Sequence, residues 1–573
     1  MMMLWRSGRD TIRKTYTGAG KAFAFLTTEV RGLQAAAYIL ALSSLLSSLL
    51  ALLRDRLLAH LFGAGTQLDI YYAAFRIPDA VFIGIGALVS AYMLIPELAR
   101  RDGATQRRYL DSVVAGFGLL VALVGSVASL AAPWLLAKAF PVLVANGSLD
   151  ELVTLTRILL LQAVLLGFSN VAAAVTQFKH RYALYAVSPL VYNLGIIFGA
   201  WVLYPAYGLT GLVWGVVIGA AAHLVIQLPS IAYDGYLRHM PVLSEMRSFL
   251  ETIRLSLPRA LALSMNQMAF FALLALAGTL SAGSISVFTF AYNLQGVPLA
   301  IIGASYATAA FPTLAYAFSK GKSDVFMAQL SIAARQILFW SFPAIALVVV
   351  LRAHIVRAIL GSGAFDWTDT RLTAAALALF VISLAAQGLS LLLIRACYAS
   401  GKTLVPFVIS GFSAVLTVVL GVKLLSVVQH GGTNDFLEVF LRVEDLVGTQ
   451  ILMLPLAYAI ASVAGALALA LYFQARFGTF FSEIGRTLGE SLAAAFAAGA
   501  AAYATLHIIG DITLSSTLLS VMLKGGAAGL IGCMAATLVY FVLGSREYAE
   551  NAQALRRRIW RDVEPVSSAE QTA

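Results

Sequence analysis

Residues Ser112–Ala137 read SVVAGFGLLVALVGSVASLAAPWLLA, 26 consecutive positions without a charge, with Arg107 and Arg108 just before and Lys138 just after. A bilayer core about 30 Å thick takes roughly 20 apolar residues per helix, so this segment is long enough to cross one. The same rhythm fills the chain. Apolar stretches lie at about 35–61, 70–97, 110–134, 152–176, 184–204, 208–232, 255–281, 285–317, 326–351, 372–397, 403–425, 451–474, 487–508 and 517–543. The 573 residues are 60% hydrophobic and 12% charged, with a mean hydropathy of +0.85. A soluble chain carries about twice that charge. The expectation is an all-α polytopic membrane protein with about 14 transmembrane helices.

Lys and Arg gather in every second gap between the stretches. One set of gaps and termini holds 26 of them, including Arg100, Arg101, Arg107, Arg108, Lys179, Arg181, Lys320 and Lys322. The other set holds six: Lys138, Arg352, Arg357, Arg371, Lys423 and Arg442. Basic loops stay on the cytoplasmic side, so both termini are expected there. The net charge of +11 lies in short loops and tails rather than in a basic groove interleaved with aromatics, which argues against a nucleic-acid partner. Residues 1–32 carry six basic groups and no signal-peptide core. They read as a cytoplasmic arm on anionic lipid or as a disordered overhang. Cys397 and Cys533 offer no disulfide or metal spacing and read as two small buried apolar residues. Tyr71, Tyr72 and Trp134 near span ends read as interface anchors.

An internal repeat is visible. Pro96-Glu97-Leu98-Ala99 ends the second stretch and Pro312-Thr313-Leu314-Ala315 ends the eighth. Pro189 follows Arg181 by eight residues, and Pro406 follows Tyr398 by eight. The offset is six stretches each time. An even offset gives two copies in parallel orientation, a known transporter plan. The expected organisation is a basic arm (1–32), an N-lobe (33–233), a cytoplasmic linker (234–254), a C-lobe (255–474), two further helices (475–544) and a cytoplasmic tail (545–573).

The run Arg54-Asp55-Arg56-Leu57-Leu58-Ala59-His60-Leu61-Phe62-Gly63-Ala64-Gly65, then Asp69, then Ala74-Phe75-Arg76-Ile77-Pro78, resembles the opening signature of the MurJ (MviN) lipid II flippases. That family shares a superfamily with MATE exporters and polysaccharide flippases. Further matches follow in order: Arg181-Tyr182, Ser188-Pro189, Asn193, Gln227-Leu228-Pro229, Ser264, Gln267, Gly283-Ser284-Ile285-Ser286, Pro298, Pro312 and Gly361-Ser362-Gly363-Ala364-Phe365. The resemblance implies two six-helix lobes plus two helices in the bacterial cytoplasmic membrane. It also implies alternating access and a polyprenyl-diphosphate-linked glycan carried to the outer leaflet for cell-wall synthesis. Its implied partners are that glycan lipid, membrane lipids and cell-wall synthesis proteins.

Four positions depart from the family pattern. Ser48, Phe82, Asn293 and Gly296 stand where the family carries arginines or a glutamate, and the acids of its sodium site have no match. A charge at the centre of a membrane helix costs roughly 2.5–3.5 kcal/mol on insertion scales, so it normally meets a partner or a wet cavity. Arg54, Asp55, Arg56, Asp69 and Arg76 cluster around the first two stretches. An arginine fork suits a diphosphate. Arg54 and Arg76 are therefore the candidate diphosphate contacts, with Asp69 orienting one of them. The alternative is that Asp69 caps the second helix and the arginines snorkel to headgroups. Amides at Asn193, Asn266, Gln267, Asn293, Gln295 and Gln387 either bind sugar or link helices. The linking role is favoured for Asn193 and Gln387, and both roles stay open for Asn293 and Gln295. His223 and Lys524 read as structural.

No phosphate-binding Gly-x-x-x-x-Gly-Lys-Ser/Thr loop or metal cluster occurs, so no cofactor is expected. Besides a flippase, two classes remain. A cation-coupled exporter needs an ionisable carboxylate inside the bundle, and few acids are available. A scaffold or membrane glycosyltransferase would draw on the outward segment Gln429–Gln450, with Asp435, Glu438, Glu444 and Asp445. Phe436–Leu441 within it reads instead as a short interfacial helix.

Overall fold

The computed structural model describes residues 33–559, apart from 87–88, 90, 234–235, 237–245, 431–434, 511 and 514–515. Side chains at 33–38, 40–41, 91–93, 96, 230, 233, 248, 252, 255–264, 266 and 554–559 are also outside the description. The arm 1–32, the linker segment 237–245, the amide of Asn266 and the tail beyond 559 therefore lie outside the described residues. No strand occurs among the described residues. Nine described helices are long and apolar enough to cross a membrane, or ten if the pair Trp367–Ile382 and Leu384–Ala399, bent by 44°, is one crossing. Each stretch read from the sequence falls on helix; the figure of about 14 crossings remains a sequence count.

The chain divides into two compact units. One comprises the residues up to Phe290 together with Ile359–Asp369. Its helices are α1 (Leu33–Phe62), α2 (Thr66–Ala74), α3 (Arg76–Gly86), α4 (Ala91–Ala99), α5 (Gly103–Ala139), α6 (Leu149–Phe178), α7 (Tyr182–Phe198), α8 (Tyr204–Val225) and α9 (Met246–Ala277). The second predicted span is thus three pieces. Pro78 explains one weak point. It has no N–H to donate to Ala74 O, and Thr156 Oγ1 of α6 fills that carbonyl at 3.2 Å. Pro133 in α5 does the same to Ser129 O, which accepts from Arg157 Nε at 3.3 Å. In hydrocarbon, freed carbonyls need such replacements because water is absent.

α7 continues through one π-helical turn, Gly199–Leu203, into α8. The run reverses at Gly208, whose φ of 61° is open to glycine and strained for other residues. The two arms then pack antiparallel, with Gly195 against Gly219 and Gly199 against Gly215. Only glycine allows two membrane helices this close, so the predicted pair of stretches 184–204 and 208–232 is a hairpin. The core of this unit gathers Leu94, Leu98, Tyr109, Phe117, Val171 and Val175. Tyr71 and Tyr72 are buried and pack with Phe75 and Phe290, which corrects their reading as interface anchors. Trp134 is exposed, with Lys138 Nζ 5.4 Å from its ring centre.

The other unit comprises Ala291–Ala358 and the residues from Thr370 onward. α10 (Ser284–Leu299) passes through a π turn at Ala300–Ala304 into α11 (Ser305–Ser319). Then come α12 (Ser323–Ile359), α13 (Trp367–Ile382), α14 (Leu384–Ala399), α15 (Leu404–Gln429), α16 (Asp435–Leu441), α17 (Met453–Phe477), α18 (Phe480–Ile509), α19 (Leu518–Val542) and α20 (Arg546–Ile559). Pro343 frees Phe339 O, which accepts from Tyr540 Oη at 2.7 Å. Arg335, buried in α12, reaches Glu547 at 2.8 Å and Glu483 at 3.2 Å, and so fixes the first turn of α20. Cys397 is buried, whereas Cys533 is exposed beside Leu530 and Met534 on an apolar face of α19. A small apolar residue is equally stable facing lipid, so burial in protein was the wrong expectation for Cys533.

The repeat is visible in packing within each unit. In the first, stretch two packs on four, four on six and five on six. In the second, eight packs on ten, ten on twelve and eleven on twelve. The same neighbour scheme recurs at an offset of six.

Candidate functional site

Arg54 and Asp55 lie near the end of α1. Arg54 Nε and Nη2 both donate to Asp55 Oδ1, at 2.9 and 2.8 Å. Nη1 donates to Asn193 Oδ1 of α7 at 3.2 Å. Asn193 Nδ2 in turn donates to Pro189 O at 3.1 Å and to Ser47 Oγ at 3.4 Å. Asp55 is 3% exposed. The pair is thus nearly neutral and held on both flanks, which is how a low-dielectric site tolerates a guanidinium. An incoming anion would compete with Asp55 for the fork. Asn193 is both an interhelical link, as expected, and a guide for Arg54.

Arg76 opens α3. Its Nε donates to Tyr72 O at 2.9 Å, its Nη2 lies 3.8 Å from Asp79 Oδ2, and its guanidinium carbon is 5.3 Å from the Phe271 ring centre. It is therefore oriented by Asp79 and aromatic faces, not by Asp69. Arg56 points elsewhere, donating through Nη1 to Ile359 O at 3.1 Å.

Asp69 is 2% exposed and serves another helix. Its Oδ2 accepts from Gly283 N at 2.7 Å, and its Oδ1 accepts from Ser286 N at 2.8 Å and Ser286 Oγ at 2.6 Å. Ser286 N belongs to the first turn of α10 and Gly283 N lies just before it, so neither has an intrahelical acceptor. Asp69 also does not cap its own helix: the residue before α2 is Gly65, and no side chain caps that end. Both expected roles are corrected. The physical reason is that Gly-Ser-Ile-Ser at 283–286 begins a helix with no acidic cap of its own.

A second aspartate completes the arrangement. Asp369 Oδ2 accepts from Ala64 N at 3.0 Å, and Ala364 N donates to His60 O at 2.9 Å. Gly63, with φ 60°, lets the α1–α2 turn sit against Ala364; a Cβ there would lie 2.6 Å from Ala364 O. Phe365 is buried and edge-on to Phe290, which is edge-on to Tyr72. Residues 60–69, 283–286 and 361–369 thus form one clasp inside the first unit. Sequence reasoning missed Asp369. Its only signal is an acid in the first turn after Gly361-Ser362-Gly363-Ala364-Phe365.

In the second unit Gln295 is buried, and its Oε1 accepts from Gln387 Nε2 at 3.2 Å. Gln387 Nε2 also reaches Ser383 Oγ at 2.9 Å, at the bend between α13 and α14, and Tyr458 Oη donates to Gln387 Oε1 at 3.3 Å. Gln295 therefore links helices. Asn293, on the same helix, is half-buried. His223 Nδ1 lies 2.7 Å from Ser169 Oγ, and Lys524 Nζ donates to Gly510 O at 3.0 Å, both structural contacts. Ser48 bonds back to Ser44 O at 2.9 Å, so it presents no charge where the family pattern has an arginine. No group of three or more potential metal ligands occurs among the described residues.

The family model described as "Lipid II flippase MurJ" matches residues 58–523. A probable lipid II flippase MurJ of Thermotoga maritima is 29% identical over 394 residues, covering 66% of this chain and 78% of that protein. The lipid II flippase MurJ of Burkholderia cenocepacia is 24% identical over 407 residues, covering 68% of this chain and 78% of that protein. Among solved structures, a lipid II flippase MurJ in an inward closed conformation aligns with a TM-score of 0.69 at 20% identity, over 88% of this chain and 99% of that one. An inward-facing multidrug resistance MATE transporter aligns with a TM-score of 0.58 at 17% identity, over 76% of this chain and 96% of that one. These likenesses establish the fold. With the family model matched over most of its length, the chain belongs to the MurJ family of lipid II flippases.

Proposed function

We propose that this protein is a lipid II flippase, a transporter that moves a lipid-linked peptidoglycan precursor from the inner to the outer leaflet of the bacterial cytoplasmic membrane. One observation carries the reading: the family match over 58–523 includes three separated segments, 60–69, 283–286 and 361–369, that the fold joins into the Asp69–Asp369 clasp. The charge imbalance between loops supports cytoplasmic termini. That orientation places the clasp on the outer side. In this reading 33–233 and 255–474 act as the two lobes.

Arg54 and Arg76 are the proposed diphosphate contacts. Arg54 exchanges part of its bond to Asp55 for a phosphate oxygen, a stronger acceptor set for a planar fork. Asn293 is the proposed sugar contact. No nucleotide is needed. An inside-negative potential favours outward movement of an anion by roughly 2.3 kcal/mol per charge per 100 mV. A second reading, a different polyprenyl-diphosphate-linked glycan, is favoured by Ser48, Phe82, Asn293 and Gly296 at positions the family usually charges.

The test is complementation of a bacterium depleted of its lipid II flippase, with membrane abundance verified. Growth with normal shape is the expected result. Lysis at full abundance, with a clasp shown intact by cysteine crosslinking between positions 64 and 364, would favour the second reading.

A further inference from the structure

The seven-residue helix α16, Asp435–Leu441, is turned the wrong way for a water-exposed loop. Phe436 is 78% exposed, Val439 63% and Phe440 61%. They lie three and four residues apart, hence on one face, and the two rings stack at 6.0 Å. The opposite face is turned inward: Leu441 is buried, and Glu438 Oε1 accepts from Thr449 Oγ1 at 2.5 Å.

This orientation is built, not incidental. Arg352 Nη2, from the end of α12, donates to Leu441 O at 3.1 Å, a cation on the helix carbonyl end. Arg371 Nη2 donates to Arg442 O at 2.6 Å, and the same guanidinium holds Asp445 through two bonds. Arg442 has a φ of 58°, which turns the chain back beneath the helix. Two arginines from the ends of neighbouring spans therefore fix which way the phenyl rings point.

What lies beyond those rings follows from continuity with the lipid-facing surface. The preceding helix α15 exposes Val419, Val422 and Val427. Arg442 Nη2 donates to Tyr503 Oη at 3.3 Å, which sets the loop beside α18, where Ile508 and Ile509 are exposed. The apolar face of α16 thus adjoins the apolar flanks of two membrane helices, with its own acids, Asp435 and Glu438, off that face and the remaining charges in the loop that follows. Aromatic side chains at that level suit the boundary between headgroups and acyl chains.

We propose that α16 is an interfacial anchor: Phe436, Val439 and Phe440 insert among the headgroups and upper acyl chains of the adjoining leaflet. Its occupant is lipid, not protein. The anchor ties the ends of α12 and α13 to a fixed depth in the membrane through Arg352 and Arg371. It depends on the membrane-spanning fold and not on which glycan is carried.

The test uses the full chain in lipid nanodiscs with Cys533→Ser, leaving Cys397 buried and unlabelled. A small fluorophore is attached at Phe436→Cys, Phe440→Cys or, as an aqueous control, Glu444→Cys. Val439→Cys supplies the same face if either phenylalanine variant fails to fold. Headgroup-level nitroxide lipids are expected to quench the probes at 436 and 440, with aqueous iodide quenching 444 more strongly than either. Iodide quenching at 436 and 440 equal to that at 444 overturns the proposal. So does shielding from both quenchers, which indicates a protein occupant such as a second copy.

Discussion

Asp69 holds the start of α10 through Ser286, whose backbone N–H and hydroxyl both donate to Oδ1, at 2.8 and 2.6 Å. The two residues are 217 positions apart, and their bond is buried. Asp69→Ala would leave the donors of Gly283 and Ser286 without an acceptor. Each buried orphan costs about 1–3 kcal/mol, so a clear fall in thermal midpoint is expected, read by tryptophan fluorescence in detergent. Asp69→Asn keeps one acceptor oxygen and should fall less. Ser286→Ala removes only the hydroxyl and should be mildest. Equal midpoints for Asp69→Ala and wild type would refute the capping role.

The Arg54–Asp55 pair carries a different expectation. Removing one partner of a buried pair strands the other charge at a cost of about 3–5 kcal/mol. Arg54→Ala is therefore expected to lose abundance, and Arg54→Ala combined with Asp55→Ala to recover much of it. Arg54→Lys keeps the charge but lacks the fork. Transport by Arg54→Lys in reconstituted vesicles is expected to drop at near-normal abundance. Unchanged transport would remove Arg54 from the diphosphate site.

How much of this was legible beforehand follows the range of each interaction. A 20-residue apolar run is a local signal, so the helices of both units fall where the sequence put them. The Gly195–Gly219 hairpin was legible as two stretches, although the π turn joining them was not. The break at Phe75 was missed because Pro78 frees a carbonyl whose new donor, Thr156, is 82 residues away. Asp69 was assigned the wrong partner, since nothing near it in the chain marks Gly283. Tyr72 was misread, and the role of Gln295 stayed open, for the same reason. Their burial is decided by neighbours from distant helices.

Asp445 sits outside the membrane-spanning segments. Its hydrogen bonds from Arg371 hold its carboxyl below the ordinary aspartate range. A group with a depressed folded value contributes stability above its unfolded value, near 3.9, and loses it as pH falls through the folded value. The midpoint advantage of wild type over Arg371→Gln should therefore be constant from about pH 7 to 5 and shrink below about 4. Because Asp445 is well exposed, the difference should be small and should shrink further in high salt. A difference that grew on acidification would contradict the pairing.

The proline replacements give the sharpest test, because they predict a rescue. Tyr540 Oη donates to Phe339 O, the carbonyl that Pro343 deprives of its helical donor. Tyr540→Phe removes that donor while keeping the ring stacked on Phe339, whose centre lies 4.2 Å away. The carbonyl is then orphaned in an apolar setting, at about 1–3 kcal/mol. Pro343→Ala restores an N–H four residues after Phe339 and should fill the same carbonyl. Tyr540→Phe is therefore expected to lower the thermal midpoint in the Pro343 background and to have much less effect in Pro343→Ala. A double-mutant cycle read by thermal unfolding measures the coupling. Additive effects would mean that the tyrosine stabilises α19 through packing alone.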